Sequence, residues 1–286
     1  MSLARPFTVF KNLDAEQNLD REPFKCHHTI TDHPALSLAN LQKVIPSLPQ
    51  DQVFFSSGSL NKSDDFDRAH IDKKSSFSLE QTLQDLQKTD AYIMVRSPEA
   101  DPSFKDLFAS MRSDVEALMQ AQNLGRSAID PMLYLFIASP GSITPFHIDR
   151  YSTLLLQLKG TKKVYLYPAW DEKYCPAETL EGFMARKPVR PVYHESMASG
   201  AKGFDFGPGE VLHIPFVAPH HVENGKDSVS ISLSIIFNTN ESMLKQKALM
   251  MNHRLRNLGL KPTPINQSKI IDQVKGQAWR ILSKVA

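Results

Sequence analysis

Polar and apolar residues alternate most strictly along Val229-Ser230-Ile231-Ser232-Leu233-Ser234-Ile235. In an extended strand this puts Val229, Ile231, Leu233 and Ile235 on one face and the serines on the other. Such a strand separates a greasy layer from a wet one. Upstream, Ser152-Thr153-Leu154-Leu155-Leu156-Gln157-Leu158 and Lys163-Val164-Tyr165-Leu166-Tyr167 read as two buried strands of a hairpin, joined by a Lys159-Gly160-Thr161 turn. Gly207-Pro208-Gly209-Glu210 predicts another turn, Val211 to Pro215 a short strand, and Pro219-His220 the opening of the next segment. A sheet with an apolar outer face under helices and a small-polar inner face suits a barrel with a polar lumen.

Both flanks follow a helical period. Ser78-Leu79-Glu80-Gln81 is a capping-box signature, opening a helix with Leu79, Leu83 and Leu86 on one face. Phe104, Leu107, Phe108, Met111, Val115 and Leu118 recur at helical spacing and predict a second helix from about Ser103 to Gln120. Between strand and helix signals, Ser56 to Ser76 is rich in Ser, Asp and Lys and reads as a loop able to reach over the barrel mouth. From Glu241 onward the pattern is helical, broken at Pro262 and Pro264. Its last stretch, Ile270 to Val285, carries Ile271, Val274, Ala278, Ile281 and Leu282 on one stripe. That stripe either docks on the barrel or forms a homodimer with a second copy. The predicted organisation is a helical and loop region over 1–124 packed on the barrel, the barrel over 125–240, and a helical extension over 241–286.

Composition narrows the function classes. A chain of 286 residues can bury a substantial core. With 33 basic against 31 acidic residues its net charge is +2, which leaves no electrostatic footprint for nucleic acid or an anionic membrane. Two cysteines cannot build a disulfide framework and fit a reducing compartment. The start Met1-Ser2-Leu3-Ala4-Arg5-Pro6-Phe7 lacks the apolar run of a secretory signal, and no run of ~18 apolar residues exists to span a bilayer. The expected location is cytoplasmic.

The candidate chemistry starts at Thr144-Pro145-Phe146-His147-Ile148-Asp149. Side chains two apart in a strand share a face, so His147 and Asp149 can converge on one metal ion. One more imidazole would complete two histidines and a carboxylate with open coordination positions, the arrangement of a non-haem Fe(II) oxygenase. Ala218-Pro219-His220-His221-Val222-Glu223-Asn224 offers that imidazole. Because Pro219 obscures the strand phase, alternation leaves both His220 and His221 open. His213 sits in an apolar strand and reads as a packed core histidine. Cys26, His27 and His28 have no second cluster at ligand spacing and read as loop or helix-edge residues.

Together, Thr-Pro-x-His-x-Asp, Leu-Gln-Leu-Lys-Gly-x-Lys, Pro-Gly-Glu-Val-Leu-His-Ile-Pro and Pro-His-His-Val-Glu-Asn before the serine strand resemble the JmjC and cupin-like Fe(II)/2-oxoglutarate-dependent dioxygenases. The resemblance covers roughly Pro131 to Asn238, and the spacing is similar to that of the protein-hydroxylase branch and of small bacterial cupin-like proteins. It implies a mainly β fold, a double-stranded β-helix (cupin or jelly-roll) barrel flanked by N- and C-terminal helices. It also implies a hydroxylase using Fe(II), 2-oxoglutarate and dioxygen on a protein, peptide or small-molecule substrate. Carried over by residue, His147, Asp149 and His220 fall on the iron ligands, with His221 turned off the metal face. Lys162 falls on the lysine that meets the distal carboxylate of 2-oxoglutarate, and Thr144 on a hydroxyl bonding the same carboxylate. Thr153 and Ser234 stand where relatives place other polar groups near the cosubstrate. One departure bears on pocket shape: relatives often carry tryptophan before the distal histidine, and here Ala218-Pro219 stands there. The rival readings are a non-catalytic cupin-like metal-binding or regulatory protein and a cupin-type metal-dependent isomerase. In the isomerase Lys162 would have no carboxylate to meet.

Overall fold

In the computed structural model, which describes residues 7–13, 17–57, 60–66, 68–73, 75–76, 78–85 and 90–283, the alternating serine segment is an inner strand of the larger of two antiparallel sheets. The strands are β1 (Phe10–Lys11), β2 (Lys25–His28), β3 (Val53–Ser56), β4 (Tyr92–Arg96), β5 (Ile129–Ala138), β6 (Ile143–His147), β7 (Ser152–Lys159), β8 (Lys162–Leu166), β9 (Lys202–Phe206), β10 (Glu210–Ile214), β11 (His220–Asn224) and β12 (Ser230–Asn238). The larger sheet runs β1-β2-β10-β7-β12-β5-β4-β3 and the smaller β6-β11-β8-β9. The helices are α1 (Leu38–Ser47), α2 (Ala69–Asp72), α3 (Leu79–Gln84), α4 (Lys105–Ala121), α5 (Ala177–Met184), α6 (Asn240–Asn257) and α7 (Lys269–Leu282). The fold is therefore mainly β, a jelly roll with helical extensions.

The two faces of β12 go where their chemistry sends them. Val229, Ile231, Leu233 and Ile235 join Leu107, Met111, Val115 and Leu118 of α4, with Leu41, Val44 and Ile45 of α1, in one buried core. Each such side chain contributes about 1.5–3 kcal/mol by leaving water. Ser232 and Ser234 face the space between the sheets, where Ser232 meets Lys162 and Ser234 lines a cavity.

Two expectations change. β7 and β8 are not a hairpin: β7 is already paired on both sides, by β10 and β12, so β8 pairs instead with β11 and β9. The Lys159-Gly160-Thr161 turn thus carries the chain from one sheet to the other. Gly160 is required there, since its φ is +70° and a Cβ would lie 2.5 Å from the Val229 carbonyl oxygen. Second, the first 124 residues carry, beside the expected helices and loops, four short strands. They add β1 and β2 beyond β10 and β3 and β4 beyond β5, satisfying backbone groups that a bare edge would expose. Cys26, His27 and His28, expected as loop or helix edge, lie in β2, where the buried His28 Nε2 lies 2.8 Å from the Gln157 carbonyl oxygen. Of the two fates open to the C-terminal stripe, docking on its own barrel is not found among the described residues. α7 packs on α6 through Gly276, whose α-carbon face lies against Leu244, while the buried Asp272 accepts from Asn266 N at 2.9 Å. Ile271, Val274 and Ile281 stay 38%, 62% and 66% exposed.

The capping box is present: Ser78 Oγ accepts from Gln81 N and Gln81 Oε1 from Ser78 N. Leu86, Val285 and the start from Met1 to Pro6 lie outside the described residues. Among the described residues no helix is long and apolar enough to cross a membrane.

Candidate functional site

β6 is the edge strand of the smaller sheet and β11 its neighbour, with His220 opposite His147 in the register. Their rings are 4.1 Å apart, centroid to centroid. Asp149 follows just past β6, with Oδ1 4.0 Å from His147 Nε2 and Oδ2 3.8 Å from His220 Nε2. Ligand atoms of all three lie within 4.8 Å of one another, and among the described residues no other His, Cys, Asp or Glu group of three has that geometry. Each histidine is oriented from behind by its own strand. His147 Nδ1 lies 2.8 Å from the Pro145 carbonyl oxygen and His220 Nδ1 3.0 Å from that of Ala218. Donation from Nδ1 leaves each Nε2 lone pair facing the gap. Burial, aided by neighbouring His147, pushes the His220 value down to about 4, so the ring is neutral and able to ligate.

The phase that Pro219 hides in the sequence is set by an irregularity in the β6–β11 register between His220 and Val222. His220 turns inward. His221 turns outward, stacked at 4.6 Å on Tyr165 and edge-on to Tyr193, with neither ring nitrogen hydrogen-bonded.

Behind these three residues is a cavity of about 190 Å³. Its lining includes Thr144, Thr153, Lys162 and Ser234, so all seven site residues expected from the sequence border one space. Lys162 is buried, and its ammonium donates to Ser232 Oγ at 2.7 Å. Burial pulls its value down to about 7. Thr153 Oγ1 is buried without a hydrogen-bond partner. Thr144 Oγ1 donates to the Tyr92 hydroxyl at 3.3 Å.

Tyr92, Ser232 and Phe66 were not singled out from the sequence. Tyr92 had a usable signal, because Ala91-Tyr92-Ile93-Met94-Val95 alternates: Ile93 and Val95 enter the core while Tyr92 and Met94 line the cavity. Phe66 belongs to the loop expected over the mouth, and its ring stacks on His147 at 4.3 Å. That segment is fastened to the smaller sheet, where Phe146 N donates to Lys62 O and Lys62 pairs with Glu223 at 2.9 Å, and to the connection after α5, where Asp65 pairs with Arg190. His213 is the packed core residue expected, fully buried against Phe24, with Nδ1 3.0 Å from the Thr153 carbonyl oxygen.

Residues 21–243 match the family described as the cupin-like domain. Among solved structures, Escherichia coli ycfD aligns over 97% of this chain and 69% of its own, at 14% identity and a TM-score of 0.51. A structure of Escherichia coli ribosomal oxygenase YcfD aligns over 97% and 68%, at 15% identity and a TM-score of 0.48.

Proposed function

We propose, from the premise that this chain belongs to the cupin-like domain family, that it is an Fe(II)- and 2-oxoglutarate-dependent oxygenase that hydroxylates its substrate. The observation that carries the reading is one cavity bordered by an open His-Asp-His group and a buried lysine whose hydrogen-bond partner is a neutral hydroxyl. A buried ammonium without an anion is costly, and a dicarboxylate supplies the missing charge. Two imidazoles and one carboxylate are a donor set suited to Fe(II), with coordination positions left for other groups.

His147, Asp149 and His220 would hold the metal. Lys162 and Thr144 would take the distal carboxylate of 2-oxoglutarate, with the Tyr92 hydroxyl beside Thr144 and with Thr153 and Ser234 as further polar contacts. When bound, iron and 2-oxoglutarate supply oxidative decarboxylation to succinate and carbon dioxide, coupled to insertion of oxygen into a substrate. The chain's own share is placement and dryness. The Pro145 and Ala218 carbonyls fix the imidazole tautomers, Lys162 and Thr144 orient the cosubstrate, and Met94, Phe136 and Ile236 exclude water. The exposed α7 stripe is the proposed homodimer face.

Purified protein with Fe(II), ascorbate and labelled 2-oxoglutarate should release succinate, and His147→Ala should abolish both this turnover and stoichiometric Mn(II) binding. Wild-type Mn(II) affinity in His147→Ala would remove the metal assignment. Failure of the wild type to turn over 2-oxoglutarate would remove the oxygenase reading.

A further inference from the structure

The two turns that present Asp149 and His220 are joined from behind by one side chain far away in the sequence. Asp20 sits in a tight turn, closed by Arg21 N donating to Asn18 O, with its own φ at +59°. Its carboxylate accepts from Ser152 Oγ at 2.8 and 2.7 Å, three residues after Asp149. The same carboxylate accepts from Phe216 N at 2.8 Å, four residues before His220. Its backbone N–H donates to His213 Nε2 at 3.0 Å, and His213 Nδ1 in turn faces the Thr153 carbonyl oxygen. Asp20 thereby bonds the first residue of β7 and the β10–β11 connection directly, and reaches β10 and Thr153 through His213, with a side chain only 12% exposed.

What it holds on the His220 side is strained. Ala218 N donates to Pro215 O across a four-residue turn whose third position is Val217, at φ +59°. That position ordinarily demands glycine, and a β-branched residue there is an outlier that persists only where its surroundings over-determine it. Val217 and Phe216 are buried in a cluster that also contains Ile148, the residue between His147 and Asp149. The next carbonyl in the chain, that of Ala218, faces His220 Nδ1 and so sets the ring.

We infer that Asp20 is a positioning residue for the metal centre, clamping the Asp149 and His220 turns in register and holding Val217 in its strained conformation so that His220 Nε2 faces Asp149. The inference rests on the metal-binding reading above. Residues one step behind metal ligands typically change metal affinity by about 10- to 100-fold when removed, and that is the size expected here.

The test is Mn(II) binding, followed by the EPR signal of free Mn(II), in parallel with thermal unfolding. Asp20→Ala should weaken Mn(II) binding at least about tenfold, while a cooperative unfolding transition remains. Val217→Gly, which permits the positive φ without strain, should restore part of that affinity in the Asp20→Ala background, and Asp20→Asn should restore more because it still accepts from Phe216 N. If Asp20→Ala does not fold, Ser152→Ala removes one tether and should by itself weaken Mn(II) binding measurably. Wild-type affinity in Asp20→Ala, or in Ser152→Ala where the first does not fold, overturns the clamp and leaves the metal centre standing, as does a loss of stability alone. Absence of Mn(II) binding by the wild type overturns the metal centre and the clamp with it.

Discussion

Lys162 lines the cavity with its value pulled by burial from the ordinary 10.5 to about 7. Folding therefore favours its neutral form. As far as this residue goes, stability is greatest above about pH 10.5 and declines as pH falls toward 7, because over that window the unfolded chain takes up a proton that the folded chain refuses. Below about 7 both states are protonated and the loss levels off. A neutral isostere such as Lys162→Met should then stabilise the protein near pH 8, by on the order of 3 kcal/mol, while weakening 2-oxoglutarate binding. Lower stability of Lys162→Met in denaturant titrations would mean that the ammonium is satisfied in the free protein. A bound carboxylate reverses the preference, so 2-oxoglutarate binding at pH 8 should take up close to one proton. Calorimetry in buffers of different ionisation enthalpy measures that uptake, and a value of zero would remove Lys162 from the site.

At the scale of elements, the turn at Gly160 is where a small change should have the largest effect. An added methyl would meet the Val229 carbonyl and force a positive φ on a side chain. Gly160→Ala should cost about 1–3 kcal/mol, read as a lower denaturant midpoint, and should displace Lys162 two residues on, weakening 2-oxoglutarate binding more than Mn(II) binding. Equal loss of both would point to general unfolding of the barrel. The same turn shows where the sequence stops informing. The hydrophobic pattern identifies β7 and β8 as strands, but pairing partners are chosen by segments far away, so the local turn reads as a hairpin when it is a crossing between sheets. β12 was legible because its two faces meet different solvents, one a helical core and the other a polar cavity. His220 and His221 were not separable by alternation because an irregular register resets the phase between them. On α7 the apolar stripe was plain, yet the docking face was decided by Gly276, whose lack of a side chain lets α6 approach. Tyr92 is hard to read from sequence because its short strand lies among helix signals.

For the whole molecule, the exposed stripe of Ile271, Val274 and Ile281 lies away from the cavity, on an element that neither sheet needs for its pairing. Apolar burial at about 25 cal/mol per Å² makes such a face favourable to cover, and a second copy is the occupant proposed. Ile281→Glu should therefore leave the thermal midpoint of the isolated chain unchanged while converting a dimer to a monomer in sizing with light scattering. A monomeric wild type at micromolar concentration would end that proposal. The distance in sequence between Asp20 and its donor partner at Phe216, 196 residues, reaches beyond the mature site to the order in which it is made. On a ribosome, the first turn of the clamp emerges long before β10, β11 and β12 exist, and the larger sheet cannot close until the last of them is out. Contacts of such separation are slow to form because the loop between them must first be ordered. The His147, Asp149 and His220 group is consequently among the last things the nascent chain can assemble, and loading of the proposed metal would follow synthesis of the barrel sequence rather than accompany it.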